Sequence, residues 1–163
     1  MDRARALDEG LVQVEEGCAS RIGHGDEGTL RPVDPAVEER IRTAYAAFVD
    51  GDLDTALVDI SPEIVFINPE YAVDGGTATG LPALRGAVGR LYENFLGLTI
   101  EIAEILAAPS AVVITSRWRG EGRVSGAPVD QVLTHVFDCD GNGRVVKWRW
   151  FRTQAEGREA AGI

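Results

Sequence analysis

THVFDCDGNGRVVKWRWF, residues 134–151, holds two strands and the turn between them. Asp140-Gly141-Asn142-Gly143 is a strong hairpin signal, because Asn and Gly accept the left-handed backbone that tight two-strand turns require. On one side Val129 to Asp138 alternates. Val129, Gln131, Leu133, His135 and Phe137 share a face, and Asp130, Val132, Thr134 and Val136 share the other. On the other side, Val145 to Thr153 sets Trp148 and Trp150 against Lys147, Arg149 and Phe151.

Working back from the hairpin, Ala111 to Gly122 reads as a strand with Trp118 on the face opposite Arg117 and Arg119. Ala108-Pro109-Ser110 is a turn. Leu98 to Leu106 alternates Leu98, Ile100 and Ile102 against Thr99 and Glu101. Before this run of strands the period changes to that of helices. Leu84, Val88, Leu91 and Phe95 recur at spacings of four, three and four from a start at Leu81. Tyr71 to Gly80 is Gly-rich and reads as a loop. EIVFINPE reads as a strand with Ile64, Phe66 and Asn68 on one face, ended by Pro69. A short helix capped by Asp52 carries Leu53, Leu57 and Ile60, with Pro62 as its stop. The first helix opens at Asp34-Pro35, a capping residue followed by a proline suited to the first turn. It carries Val37, Ile41, Ala44, Tyr45 and Phe48, and Gly51 ends it.

Helices grouped ahead of hairpin-linked strands predict an α+β fold, with the helices covering one face of a curved antiparallel sheet. Residues 34–163 form this domain. Residues 1–33 read as an N-terminal arm, partly helical through Leu7, Leu11 and Val14, then irregular through the Gly-rich stretch that contains His24.

Composition narrows the function. The chain of 163 residues is 45% hydrophobic and 26% charged, as expected for a globular domain with a sizeable core. Its net charge of −10 argues against nucleic acid and anionic membrane surfaces as partners. No apolar run reaches the ~20 residues of a membrane-spanning helix. The N-terminal MDRARALDEGLVQVEEG is too charged for a signal-peptide core. The two cysteines, Cys18 and Cys139, match no metal or redox spacing. These features point to the cytoplasm. No metal-ligand cluster, phosphate loop or nucleophile elbow occurs, so neither metal nor cofactor is expected.

Three strings, YAAFVDGDLDTALVDISPEIVFINP, GLPALRGAVGRLYENF and THVFDCDGNGRVVKWRWF, together with the closing QAEGREAAGI, resemble the SnoaL-like branch of the nuclear transport factor 2-like superfamily. This branch includes ketosteroid isomerases, polyketide cyclases, limonene epoxide hydrolases and scytalone dehydratase. The resemblance implies a cone-shaped sheet (the cystatin-like α+β barrel) around a pocket for a small apolar molecule, and a homodimer formed through the outer sheet face near Val132, Thr134 and Val136. Ketosteroid isomerases use an Asp base with a Tyr and a protonated Asp that stabilise the oxyanion. The base matches Asn68, the oxyanion Asp matches His135, and the Tyr falls on or beside Tyr45.

An amide takes up no proton at working pH, so Asn68 is no base, although it can orient an oxygen. His135 reads either as a general acid/base or as a core histidine bonded to a neighbour. Phe66, Leu133, Trp118, Trp148 and Trp150 are candidate pocket walls or plain core. Gln131 is a polar companion of His135 or a rim residue. Tyr71 and Asp74 lie in the loop over the expected mouth, where Asp74 is either a replacement base or a solvated loop carboxylate. Two functions remain: a cofactor-free isomerase, cyclase or dehydratase on a small oxygenated substrate, and a non-catalytic ligand-binding or assembly module.

Overall fold

The computed structural model describes residues 29–72 and 74–163. The expected N-terminal helix, Cys18 and His24 lie outside the described residues. Leu30 to Val33, at the end of the arm, bring a two-residue strand β1 (Arg31–Pro32) against the sheet. Helices α1 (Pro35–Asp50) and α2 (Leu53–Ala56) follow, then strands β2 (Ile60–Asn68) and β3 (Gly76–Thr79) and helix α3 (Leu81–Asn94). The chain closes with β4 (Phe95–Ala108), β5 (Ala111–Gly122), β6 (Pro128–Cys139), β7 (Val145–Phe151) and α4 (Gln154–Ala160).

Local chemistry accounts for the helix ends. The Asp34 carboxylate accepts from the Ala36 amide at 2.8 Å, and Gly51 takes the left-handed cap at φ 79°. Asp52 caps α2 through the Thr55 amide. Tyr92 of α3 donates its hydroxyl proton to the Phe48 carbonyl and so ties α3 to the end of α1.

The seven strands form one curved, unclosed sheet in the order β1-β4-β5-β6-β7-β2-β3. It departs from the expected antiparallel sheet in one place, because β2 pairs with β7 in parallel, Phe66 beside Trp148. Hairpin chemistry specifies only sequence neighbours, and these two strands are joined through every element between them. Ile60 and Pro62 belong to β2 rather than to α2. Pro62 lies where the β2–β7 register shifts, a position that spares a ladder hydrogen bond. Gly76–Thr79 is an edge strand within the stretch that reads as a loop. Phe95, at the end of the apolar stripe of α3, begins β4.

A register shift between Ile102 and Glu104 changes the phase of β4. Ile100 and Ile102 before it, and Ile105 and Ala107 after it, therefore all share the inner face, while Glu104 pairs with Thr115 on the outer one. The main core fills the space between α1, α3 and the inner face, centred on Phe48, Ile64, Phe66, Leu84, Trp118 and Trp148.

Much of the outer face is covered as well. Thr134 and Val136 are 1% and 0% exposed. Val136 packs with Leu30, Phe151 and Ala161, and Gly157 of α4 lies against Thr134. Two of the three residues expected at a dimer face are thus covered by the chain's own ends, while Val132 stays exposed. Among the described residues no helix is long and apolar enough to cross a membrane.

Candidate functional site

The inner face of β5, β6 and β7 carries six of the residues singled out by the sequence: Trp118, Gln131, Leu133, His135, Trp148 and Trp150. Cross-strand pairing sets Ile114 beside His135 and His135 beside Trp150. One step along, Val112, Phe137 and Trp148 form the next row. A buried indole N–H needs an acceptor, and each of the three tryptophans has one. Trp118 donates to the Ser116 hydroxyl at 2.9 Å. Trp148 donates to His135 Nδ1 at 2.8 Å. Trp150 donates to Asn68 Oδ1 at 2.7 Å.

His135 is 3% exposed. Its ring stacks between Trp118 and Phe137, with centroids at 5.4 and 6.0 Å. Burial pushes its pKa down from 6.5 to about 3, so the imidazole is neutral at physiological pH. Its Nε2 has no hydrogen-bond partner among the described residues. A general acid/base that shuttles protons near pH 7 needs a pKa close to that value. His135 as held here does not meet that requirement.

Between α1 and the sheet lies a cavity of about 110 Å³. Val37, Ile41, Tyr45 and Phe48 of α1 line one side, and Ile114, Trp118, Phe137 and Trp148 line the other. The wall is apolar except at Tyr45 and at Arg40 and Asp59, which form an ion pair. Their side chains are 41% and 39% exposed, which places this pair at the mouth. The Tyr45 hydroxyl is fully buried and has no hydrogen-bond partner among the described residues. Burial raises its pKa well above the usual phenol value, so it is a neutral donor.

The candidates divide accordingly. Tyr45, Trp118 and Trp148 line this cavity. His135 does not; four wall residues (Ile114, Trp118, Phe137 and Trp148) surround its ring. Phe66 packs on Trp148 at 4.9 Å in the core, and Leu133 packs against the same core. Asn68 is engaged at both ends of its amide, accepting from Trp150 and donating to the Asp74 carbonyl at 3.0 Å. Tyr71 is exposed, set edge-on to Trp150 with the Arg152 guanidinium 4.1 Å over its ring. Asp74 pairs with Arg90 at 3.5 Å, and Gln131 lies at the exposed end of β6. The structure therefore does not gather Tyr45, Asn68 and His135 on one cavity wall. Sequence reading missed Asp59, whose neighbourhood depends on α2 ending after one turn, and Ser116, whose buried hydroxyl carries no motif.

A curved sheet with helices packed over its concave face and a side cavity defines the nuclear transport factor 2-like class of α+β folds. Residues 41–148 match the SnoaL-like domain, and the chain belongs to that family. Solved structures agree in fold. Bal32a, from a soil-derived mobile gene cassette, is 23% identical with a TM-score of 0.63, over 74% of this chain and 91% of that one. An NTF2-like protein of unknown function from Burkholderia pseudomallei is 20% identical with a TM-score of 0.63, over 77% and 97%. SalBIII, described as an epoxide hydrolase/cyclase-like enzyme in pyran ring formation in the polyether salinomycin, is 16% identical with a TM-score of 0.59, over 72% and 91%. No protein of curated function matches the sequence. Likeness at these identities is likeness of fold, and this fold carries many chemistries.

Proposed function

We propose that the protein is a cofactor-free acid–base enzyme, of isomerase, cyclase or dehydratase type, for a small apolar molecule that carries oxygen. The observation that carries this reading is Tyr45, a residue of the cavity wall whose buried hydroxyl has no partner among the described residues, in an apolar cavity whose mouth holds a carboxylate, Asp59. A hydroxyl buried without a partner costs about 1–3 kcal/mol, which a substrate oxygen accepting from it would offset. Donation strengthens as that oxygen gains charge, the condition for lowering a barrier rather than merely binding. Asp59, oriented by Arg40, takes the proton from the substrate and returns it. The cavity is somewhat smaller than the ~150 Å³ that holds benzene in an engineered core. A five- or six-membered ring with its polar end toward Arg40 and Asp59 suits it.

Cyclic ketones and phenols, such as cyclohexenone and phenol, are suitable probes. Tyr45→Phe should weaken their binding about five- to tenfold, the value of one hydrogen bond. On a substrate found by such screening, Asp59→Asn should abolish turnover and leave binding within about threefold. Equal binding by Tyr45→Phe refutes the role of the hydroxyl, and full turnover by Asp59→Asn refutes the carboxylate.

One observation favours a second reading, ligand binding without chemistry. Asn68 stands where the isomerases keep their base, and its amide is fully engaged with Trp150 and the loop. Tight probe binding with no product from any oxygenated ring would select it. The family resemblance also supports a homodimer, formed through surface other than that under α4.

A further inference from the structure

The cavity mouth and the start of the described chain lie at the same end of the sheet. Arg31 and Pro32 run antiparallel to Ala107 and Leu106, so the chain before them leaves the sheet beside the β4–β5 turn. From that turn a row of backbone contacts leads to the mouth. The Cys139 amide donates to the Ser110 carbonyl, Cys139 pairs with Val145, and the Val145 amide donates to the Asp59 carbonyl. Val145 and Asp59 both line the cavity. Next to Asp59, Val58 is 63% exposed, and among the described large hydrophobic residues only Val124 is more so. Residues 1–28, outside the described residues, carry an apolar stripe of Leu7, Leu11 and Val14 at helical spacing. Asp8 and Glu15, three residues before and four after Leu11, would border that stripe with carboxylates. The basic group of the cavity mouth is Arg40.

We propose that residues 1–28 are the cover of this cavity, with Leu7, Leu11 and Val14 seated on Val58 and the rim beside Arg40 and Asp59. Reach permits it. Five strand spacings of ~4.8 Å separate β1 from β2, roughly 24 Å. A flexible connection from Val14 to Thr29, about 15 residues, spans about 21 Å on average. The stripe itself covers about 10 Å along a helix, enough to cross the opening of a cavity of about 110 Å³. The physical drive is shared. A short amphipathic helix gains most of its stability by burying its apolar side, and the rim offers an exposed valine that continues into an apolar wall. The seat stands independently of any reaction in the cavity. Its effect on ligand exchange rests on the pocket reading above.

Cross-linking in the full chain tests the seat. With Cys18→Ser and Cys139→Ser as background, Leu11→Cys is combined with Val58→Cys, or with Ser110→Cys as the control. Ser110 is exposed on the turn beside which the arm leaves the sheet, so an unseated arm meets it at least as often. Under diamide oxidation the Val58 pair should form its intramolecular disulfide at least about tenfold faster than the Ser110 pair. Equal rates, or faster linkage to Ser110, overturn the proposal. A disulfide found only between two chains overturns it in favour of a second copy as the cover. The variant Leu7→Ser/Leu11→Ser/Val14→Ser, with both native cysteines kept, gives a second readout. Its amide signals at Val58, Asp59 and Ile60 should shift, while those of the 123–127 loop at the opposite end of the sheet stay in place. Unchanged rim signals overturn the seat. Phenol should enter and leave this variant at least about fivefold faster than the wild type. Equal exchange overturns the role as a cover. Failure of phenol to bind either protein overturns the pocket reading, and the cross-link still decides where the arm sits.

Discussion

Replacing Tyr45 with Phe should make the ligand-free protein more stable, the opposite of what most core substitutions do. The ring stays and continues to pack against the cluster of Ile105, Val112 and Ile114. What disappears is a hydroxyl that is buried without a partner among the described residues. Mutational data place the cost of such a group at about 1–3 kcal/mol. Removing one oxygen sacrifices little dispersion, so the net gain should be about 1–2 kcal/mol. For a chain of this size that corresponds to a Tm rise of roughly 3–8 °C. Urea unfolding measures it directly, as a higher midpoint at unchanged slope. The same substitution should weaken binding of a ketone probe. Gain of stability with loss of binding is the pattern of a group retained for function. A Tyr45→Phe protein that is less stable by 1 kcal/mol or more refutes the reasoning, because the hydroxyl would then have a partner in solution, such as a buried water.

Acid should expose His135. Its pKa is depressed from 6.5 to about 3 in the fold, so between these values the unfolded chain binds a proton that the folded chain does not. Stability from this group is complete above pH 6.5 and falls as the pH drops toward 3, by up to ~1.4 kcal/mol per pH unit. Urea midpoints at pH 7.5, 5.5 and 4.5 should fall less steeply for His135→Gln than for the wild type. A Cβ at Gly157 would press into the Thr134 methyl and lie 3.1 Å from its Cβ. Gly157→Ala should therefore lift α4 and cost about 1–3 kcal/mol by thermal denaturation. Asn68→Ala leaves the Trp150 indole and the Asp74 carbonyl without their partner and should cost about 1–3 kcal/mol, with faster amide exchange in the 69–75 loop. If the homodimer forms, sedimentation at micromolar concentration gives twice the chain mass, and α4 variants should leave that mass unchanged.

Local chemistry made much of the fold legible. Asp34-Pro35 and Gly51 mark α1, and the Asp140–Gly143 turn marks the β6–β7 hairpin. Alternation puts Trp118 inward between two outward arginines. Non-local features carried no such signal. The parallel pairing of β2 with β7 depends on where three hairpins leave the last strand. The register shift before Glu104 reverses the phase that the alternation of Leu98 to Ile102 would continue. The site shows the same division. Tyr45 is recognisable by its place on the stripe of α1. The neutrality of His135 is a property of three aromatic neighbours from other strands or strand positions, and Asp59 reaches the cavity only because α2 stops after one turn.

The parallel pairing also has a consequence for biosynthesis. Asn68 and Trp150, which bond across it, are 82 residues apart in sequence. At ~5–20 residues per second, a ribosome needs roughly 4–16 seconds to make the intervening chain. For that interval EIVFI emerges with no strand to lie against on the β7 side, a short apolar segment of the kind that chaperones capture and aggregates recruit. Slowed translation between α3 and β6 should therefore reduce soluble yield more than slowed translation before β2.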